Sequence, residues 1–249
     1  MNIALILSGG TGSRAGTDIP KQYIPVAGRA ILTYSIGVLS AHPDIDGIHI
    51  VAAASWREAI TAWLADCDRA KKFRGFSEPG ANRQLSIYNG LLDIKACADD
   101  ADRVLIHDAA RPLLTAETVS ACLAAADGHD GVLPVLPMKD TVYGSTDGKT
   151  IGSLLNRREI FAGQAPEVFR LGPYLDANRQ LLPQRILEIN GSTEPAVMAG
   201  MDMVMIPGDE RNFKITTGGG LERFRRIVEE GKESTDGSMG IASYRRLQA

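Results

Sequence analysis

Short apolar runs of strand length alternate with amphipathic stretches of helical spacing along most of the chain, a pattern typical of βα units. Strands are predicted at residues 3–7, 47–53, 104–107, 131–135 and 202–206. Helices are predicted at residues 30–39, 56–65, 83–94, 116–126, 174–182 and 221–230. The alternation predicts an α/β fold with a Rossmann-like, mostly parallel sheet and helices on both faces. In such sheets the carboxyl ends of the strands meet at one edge, where ligands bind.

The alternation breaks after Met138. Asp147-Gly148 lies between two β-prone runs, 141–143 and 150–151, which indicates a hairpin. Because a hairpin does not fit into a helix-covered parallel sheet, we expect it to project as an arm over about residues 138–158. We expect one domain over residues 1–232 that includes the arm, followed by a polar tail at 233–249.

The charge balance limits the possible partners. The 249 residues carry a formal net charge of -3, whereas nucleic-acid binders and proteins of anionic membranes usually have a basic excess. Any anionic ligand must therefore be held by local basic residues. Apolar runs such as 3–7 are too short to cross a bilayer, so we expect a cytoplasmic protein that binds neither nucleic acid nor membrane.

The cysteines are widely spaced and odd in number: Cys67, Cys97 and Cys122. This spacing argues against a disulfide framework or a zinc site, and it favours buried apolar thiols.

A glycine-rich loop with nearby cations follows the first predicted strand, and it comprises Ser8, Gly9, Gly10, Thr11, Gly12, Arg14 and Lys21. Glycines let the backbone approach a ligand, and successive N–H groups can bind an anion. The GxGxxG pattern of dinucleotide folds and the Gly-Lys-Ser/Thr of a Walker loop are both absent. Taken alone, the loop has the alternative interpretation of a glycine-rich turn with two solvated charges.

Five segments in order resemble one family. They are SGGTGSR with PKQ at residues 8–14 and 20–22, GANRQLS at 80–86, HDAARP at 107–112, NR with GQAP at 156–157 and 163–166, and NFKIT at 212–216. Together they resemble the methylerythritol-phosphate and ribitol-5-phosphate cytidylyltransferases, from the first residues to about residue 230. The resemblance implies a fold of the nucleotide-diphospho-sugar transferase type in a single nucleotidyltransferase domain.

The implied reaction transfers CMP from CTP to the phosphate of a polyol phosphate and releases pyrophosphate. Because both substrates are anions, catalysis needs positioning and charge neutralisation. The resemblance implies that Arg14, Lys21 and Lys214 supply the cations. No general base is required, since the attacking phosphate is already ionised. Mg²⁺ is expected as the cofactor, held mostly by the phosphates of CTP, with Asp108 as its candidate protein ligand.

The implied nucleotide site comprises Ser8, Gly9, Gly10, Thr11, Gly12, Gly80, Ala81, Asn82, Arg83, Ser86 and Asp108. Two of these residues have alternative interpretations. Asp108 could be a helix N-cap or the ion-pair partner of Arg111, and Arg83 could pair with carbonyls or acids near the start of its helix. We interpret His107 as a hydrogen-bonded residue beneath the site rather than as a ligand.

Arg157 and Thr193 are implied to bind the acceptor, with Arg158 as an alternative to Arg157. The segment 193–196, Thr-Glu-Pro-Ala, matches neither branch of the family. The Ser-Gly-Gly of the first loop slightly favours D-ribitol 5-phosphate, which would give CDP-ribitol, whereas HDAARP favours 2-C-methyl-D-erythritol 4-phosphate. A non-catalytic nucleotide-binding protein is the alternative of a different class.

The predicted hairpin also suggests an oligomeric state. A lone two-stranded ribbon is marginally stable in water, so it needs a partner to bury its faces. We expect a homodimer in which two arms pair about a two-fold axis. Since the arm leads directly into Arg157, each acceptor site would then contain Arg157 from one chain and Lys21 from the other.

Overall fold

The computed structural model describes residues 1–10 and 19–236, with side chains described up to residue 231. The strands of these residues are β1 Asn2–Leu7, β2 Pro25–Val26, β3 Arg29–Ala30, β4 Gly47–Val51, β5 Phe73–Ser77, β6 Arg103–Asp108, β7 Gly131–Pro137, β8 Val142–Gly144, β9 Ser153–Leu155, β10 Phe161–Gly163, β11 Glu167–Arg170 and β12 Met203–Pro207. The α-helices are α1 Ile31–Ala41, α2 Ala54–Cys67, α3 Arg83–Lys95, α4 Ala116–Ala125, α5 Leu171–Arg179, α6 Glu194–Met198 and α7 Gly218–Asp236.

Eight of the described strands form the central sheet. From one edge, β5, β4, β1 and β6 pair in parallel. β11 comes next and pairs antiparallel with β6, and β7 follows it. On one side of β7 lie β11 and β10, both antiparallel to it, and on its other side lies β12, which is parallel to it. All strands of the sheet except β10 and β11 therefore run in one direction, and the predicted mostly parallel sheet is confirmed.

Helices cover both faces of the sheet, as the alternation predicts. Along β1 successive side chains point to opposite faces. Ala4 and Ile6 belong to the apolar cluster that includes α1, α2 and α4, whereas Ile3 and Leu5 belong to the cluster that includes α3, α5 and α6. A third cluster joins α7 to β2 and the start of α1. The helix α3 lies close to β1, because a Cβ at Gly90 would be 2.6 Å from Leu5 Cδ1.

The apolar pattern missed three strands of the sheet, β5, β10 and β11. The strand β5 has the sequence FRGFS, in which a charge and a glycine interrupt the apolar run. The strand β11 buries only its first three residues, and the first of them is the charged Glu167. Short strands of this kind are defined by their neighbours in the sheet rather than by their own composition.

The predicted hairpin is present, but its second strand is not at residues 150–151. The strands β8 and β9 pair antiparallel, and β9 starts at Ser153. Thr150 lies in the connecting loop because Asp147 Oδ1 accepts hydrogen bonds from the backbone N–H groups of Lys149 and Thr150, both at 2.8 Å. Gly148 has a φ of +67°, which suits glycine at this turn. We call β8, β9 and their loop the β8–β9 ribbon.

The cysteine prediction is wrong for one residue. Cys67 and Cys122 are buried, and burial raises the pKa of Cys122 to about 12. Cys97, which follows α3, is exposed. The prediction of a buried thiol failed at Cys97 because the chain turns to the surface after Ile94, the last buried residue of α3.

The helix α7 continues to Asp236, past the predicted boundary at 232, and residues 237–249 of the predicted tail lie outside the described residues. Among the helices of the described residues, none is long and apolar enough to cross a membrane.

Candidate active site

Four parallel strands end at the same level of the sheet. Leu7 of β1 pairs with Val51 of β4 and with Asp108 of β6, and Val51 pairs with Ser77 of β5. The loops after these strands therefore meet at one edge. A Cβ at Gly9 would lie 2.7 Å from the Cβ of Pro79, so the loops after β1 and β5 are in direct contact. The predicted ligand edge thus carries the glycine-rich loop after β1 and the loop after β5 that contains Gly80.

The described part of the first loop is fixed by the side chain of Gln22 in the PKQ segment and by that of Tyr23, the next residue. Gln22 Nε2 donates hydrogen bonds of 2.7 Å to the carbonyls of Ser8 and Gly10. The Tyr23 hydroxyl donates to the Ser8 carbonyl at 2.8 Å and accepts from Ser8 Oγ at 2.9 Å. Sequence reasoning gave Gln22 no role, although its place beside Lys21 was a signal. These bonds fix the peptide orientation where the loop leaves β1.

Lys21 is half-buried and begins a 3-10 turn, Lys21–Tyr23, beside the first loop. Thr11, Gly12 and Arg14 lie outside the described residues.

The second loop is ordered by its own polar side chains. Asn82 caps α3, with Oδ1 accepting from the N–H of Leu85 at 2.8 Å. Ser86 Oγ accepts from the N–H of Gly80 at 2.9 Å and donates to the carbonyl of Asn82 at 2.8 Å. A Cβ at Gly80 would lie 2.6 Å from Leu85 Cβ, so glycine is required there. Asn82 and Ser86 thus shape this loop, and Ala81 is exposed in it.

Asp108 is the centre of a charge cluster at the end of β6. Its carboxylate lies 3.2 Å from Arg83 Nε, 3.0 Å from Lys214 Nζ and 3.6 Å from Arg111 Nε. Its side chain is only 10% exposed. Burial acts to raise the pKa of Asp108, but the charges of Arg83, Lys214 and Arg111 outweigh it and hold the pKa well below the usual range. Asp108 is therefore ionised at neutral pH.

The structure decides between the alternatives for Asp108. The N-cap interpretation is wrong, because α4 begins at Ala116 and is capped by Thr115, whose Oγ1 accepts from the N–H of Thr118 at 3.2 Å. The ion pair with Arg111 is present, but it is one of three at this carboxylate.

Arg83 lies at the start of α3, but its acidic partners are on other elements. It contacts Asp108 on β6 and Glu167 on β11. His107 is fully buried beneath the cluster, and its Nε2 lies 3.0 Å from the Arg111 carbonyl and 3.2 Å from Ser35 Oγ. Burial lowers the pKa of His107 to about 4, so the ring is neutral at pH 7. The interpretation of His107 as a hydrogen-bonded residue thus holds for Nε2, while Nδ1 is buried with no hydrogen-bond partner among the described residues.

Glu167 is a member of this cluster that sequence reasoning missed. Its Oε1 lies 3.8 Å from Arg83 Nη2 and 2.5 Å from Ser192 Oγ, and the side chain is buried. Burial raises the pKa of Glu167, although Arg83 and Ser192 act in the opposite direction. The signal in the sequence was an acidic residue directly after the GQAP segment and directly before an apolar pair.

The two predicted acceptor residues lie in different surroundings. Thr193 is half-buried at the start of α6, directly after Ser192, whose hydroxyl contacts Glu167. Arg157 is exposed in the 3-10 turn Arg157–Glu159 after the β8–β9 ribbon, and its Nη1 donates to the Lys139 carbonyl at 2.7 Å. Contacts of the neighbouring Ser192 thus connect the segment that carries Thr193 to Glu167 and Arg83, whereas Arg157 is held on the side of the ribbon.

The described side chains include no group of three or more His, Cys, Asp or Glu residues arranged to hold a metal ion. The cofactor expected from the sequence is a divalent cation. Asp108 fits as its protein ligand, because it is an ionised oxygen donor at the ligand edge.

With this geometry in place, comparison with known proteins identifies the family. The family model described as 2-C-methyl-D-erythritol 4-phosphate cytidylyltransferase (IspD) matches residues 2–230. The chain belongs to this family. It is therefore a nucleotidyltransferase of the cytidylyltransferase class.

Relatives within the family differ in length. The chain is 36% identical over 216 residues to the 2-C-methyl-D-erythritol 4-phosphate cytidylyltransferase of Syntrophotalea carbinolica, covering 86% of this chain and 90% of that protein. It is 33% identical over 227 residues to the bifunctional enzyme IspD/IspF of Paramagnetospirillum magneticum, covering 91% of this chain and 56% of that protein. The chain thus spans about half the length of the bifunctional relatives.

Solved structures of the family share the fold. The 2-C-methyl-D-erythritol 4-phosphate cytidylyltransferase of Francisella tularensis superposes with a TM-score of 0.76 at 23% identity, covering 90% of this chain and 98% of that one. The 4-diphosphocytidyl-2C-methyl-D-erythritol synthase of Anaerococcus prevotii gives a TM-score of 0.77 at 23% identity, covering 92% and 96%.

Proposed function

We propose that the protein transfers CMP from CTP to 2-C-methyl-D-erythritol 4-phosphate and releases pyrophosphate. The observation that carries the proposal is the charge cluster at Asp108, in which three cations share one buried carboxylate at the ligand edge of the sheet. A carboxylate that holds several cations at fixed positions suits a site for a polyanion. Family membership over residues 2–230 supports the same chemistry.

In the proposed reaction, an oxygen of the acceptor phosphate attacks the α-phosphorus of CTP. The bond from the α-phosphorus to the bridging oxygen breaks, and pyrophosphate leaves with the electron pair. Lys214 and Lys21 neutralise charge around the α-phosphorus, and Arg14 binds the triphosphate. Asp108 keeps Lys214 in place at 3.0 Å until substrate binds. The loops at residues 8–10 and 80–86 bind the nucleotide through their backbone.

Mg²⁺ is proposed as the cofactor, bound chiefly by the triphosphate with Asp108 as its protein ligand. When bound, it would neutralise the phosphates of CTP and orient them. Asp108 suits this role because it is ionised and because Lys214, its nearest cation, is 35% exposed and can turn toward phosphate instead.

The choice of acceptor changes with the comparisons. The first loop slightly favoured D-ribitol 5-phosphate, but two relatives at 34% and 36% identity carry names that refer to methylerythritol phosphate, and neither name refers to ribitol. This supports 2-C-methyl-D-erythritol 4-phosphate, the alternative, over ribitol phosphate and over a role in surface-polymer synthesis. Isoprenoid synthesis is the corresponding pathway.

The test of this proposal is a panel of steady-state rates. Pyrophosphate release is measured with CTP or UTP as donor and with methylerythritol phosphate or ribitol phosphate as acceptor, with and without Mg²⁺. We expect the highest kcat/KM for CTP with methylerythritol phosphate in the presence of Mg²⁺. A higher value for ribitol phosphate would overturn the acceptor, and CTP binding without turnover of any acceptor would support the non-catalytic alternative.

The β8–β9 ribbon supports a proposed homodimer. Its Tyr143, Ile151 and Leu154 side chains are 54%, 71% and 68% exposed. Apolar exposure of this kind on a two-stranded ribbon is typical of a surface that a partner covers. The ribbon leads into Arg157, so a two-fold pairing would bring Arg157 of one chain toward the acceptor site of the other.

Subunit exchange tests this shared site. Lys21→Ala and Arg157→Ala proteins, each nearly inactive, are mixed under conditions in which mass spectrometry confirms heterodimers. One site of the heterodimer would carry both changes and the other neither, so activity should return. Activity that stays at background despite confirmed exchange would place Arg157 within its own chain's site or outside the site altogether.

A further inference from the structure

Two separate routes connect the nucleotide loop to Ser192. In the first, Arg83 at the start of α3 lies 3.8 Å from Glu167 Oε1, and the Glu167 carboxylate accepts the Ser192 hydroxyl at 2.5 Å. In the second, the neighbouring residue Gln84 donates from Nε2 to the Tyr174 hydroxyl at 3.1 Å, and that hydroxyl donates to the Ser192 carbonyl at 2.6 Å. Adjacent residues of α3 thus hold the side chain and the backbone of one serine.

These routes run through the interior. Glu167, Gln84 and Ser192 are 7%, 2% and 2% exposed, and Tyr174 is fully buried. Buried polar groups that are fully hydrogen-bonded fix one arrangement, because losing a partner leaves an uncompensated polar atom. The position of residue 192 relative to the start of α3 is therefore strongly determined.

The residue after Ser192 is Thr193, which the proposed function places at the acceptor. The helix α3 carries the nucleotide loop at its start, and Arg83 also holds Asp108. The segment at 190–194 and the nucleotide loop come from distant parts of the chain, so their relative position depends on tertiary contacts.

We propose that Glu167 is a positioning residue that fixes the Ser192–Thr193 segment relative to the nucleotide loop, so that the acceptor phosphate meets the α-phosphorus of CTP in line. This deepens the proposed function and rests on it for the role of Thr193. Glu167 reaches the reaction only through Ser192 on one side and Arg83 on the other.

Two variants test separately the contact of Glu167 with Ser192 and its contact with Arg83. Ser192→Ala removes the hydroxyl and leaves the contact between Glu167 and Arg83. Glu167→Gln keeps the shape and one acceptor oxygen but removes the charge next to Arg83. A matched control is Ser40→Ala, because Ser40 is also a buried serine whose hydroxyl donates to a carboxylate, Asp68 Oδ1, at 2.6 Å, but it lies on α1.

The measurements are kcat and KM for each substrate together with the melting temperature. For Ser192→Ala we expect kcat/KM for the acceptor to fall about 10²-fold, since small misplacement of reacting groups has effects of that order, while the KM for CTP stays within about twofold. Ser40→Ala should lower the melting temperature without changing either KM. In Ser192→Ala, a KM for CTP that changes as much as the KM for the acceptor, or an unchanged kcat/KM for the acceptor, would overturn the proposal.

The double variant tests whether the two residues act as one unit. If Glu167 acts through Ser192, Glu167→Gln combined with Ser192→Ala should lose no more acceptor kcat/KM than the more impaired single variant. Losses that multiply would mean independent roles and would overturn the proposal.

Hydrogen exchange separates failure of this inference from failure of the proposed function. Wild-type protein that turns over no polyol phosphate would refute the proposed function, whereas amide exchange still reports the anchoring. We expect faster exchange over residues 188–199 in Ser192→Ala and in Glu167→Gln, with no such change in Ser40→Ala. Unchanged exchange in both variants would overturn the positioning role whatever the substrate is.

Discussion

Replacement of Asp108 by asparagine keeps the shape of the side chain and removes the charge that three cations share. Removing one partner of a fully buried ion pair costs about 3–5 kcal/mol, whereas exposed pairs contribute at most about 1 kcal/mol. Arg111 is 12% exposed, but Arg83 and Lys214 are 31% and 35% exposed, so solvent screens part of the cluster. We therefore expect Asp108→Asn to lower the free energy of unfolding by about 2–3 kcal/mol, which corresponds to a decrease of roughly 5–10 °C in Tm.

The same substitution should change the pH dependence of stability. Because the pKa of Asp108 is lower in the folded protein than in the unfolded chain, its contribution is complete above the unfolded value and is lost as pH falls toward the folded value. The stability difference between wild type and Asp108→Asn should thus be constant near neutral pH and shrink below about pH 4.

The assay is urea denaturation followed by fluorescence at neutral and acidic pH. Asp176→Asn is the matched control, because Asp176 pairs with Arg179 at 2.6 Å on the surface and is 64% exposed. Asp176→Asn should lower the free energy of unfolding by about 0.5 kcal/mol or less. If Asp108→Asn is as stable as wild type at pH 7, or if its deficit grows on acidification, the account of the charge cluster is refuted.

Lys214→Ala should lower kcat about 10²–10³-fold and lower the melting temperature less than Asp108→Asn does, because Arg83 and Arg111 still pair with Asp108. Lys95→Ala, which removes an equally exposed lysine paired with an aspartate at 3.1 Å, should leave kcat unchanged. A normal kcat for Lys214→Ala would remove this cation from the mechanism. Leu5→Ala should cost about 2–5 kcal/mol in urea denaturation because it opens a cavity between β1 and α3, and a cost below about 1 kcal/mol would contradict that packing. A thiol reagent should label Cys97 in the native protein and the two buried cysteines only after unfolding, and rapid native labelling of all three would contradict the burial.

The sequence predicted the elements whose apolar pattern matches their final burial. The strand β1 alternates between two cores, and β6 is continuously buried after its first residue, so both are visible as apolar runs. The predicted ligand edge follows from the same strands, since Asp108 must lie where β6 ends. The nucleotide loop at 80–86 was found through its family resemblance, because its role depends on backbone geometry that composition does not show.

The parts that were missed depend on tertiary contacts. Glu167 is buried because Arg83 and Ser192, which are 84 and 25 positions away in the chain by subtraction of residue numbers, supply its partners. The second ribbon strand was placed too early because the turn is extended by side-chain bonds to Asp147. Neither the polarity of a glutamate nor an Asp-Gly pair predicts such partners.

The most direct test of the central claim is the fate of an isotope label. Methylerythritol phosphate that carries oxygen-18 in its phosphate is incubated with CTP, Mg²⁺ and the protein, and the products are measured by mass spectrometry. Attack of the acceptor phosphate on the α-phosphorus predicts a cytidine diphosphate ester that retains all of the label and pyrophosphate that contains none. Labelled pyrophosphate, or a product that contains CMP but has lost label, would contradict CMP transfer by this site.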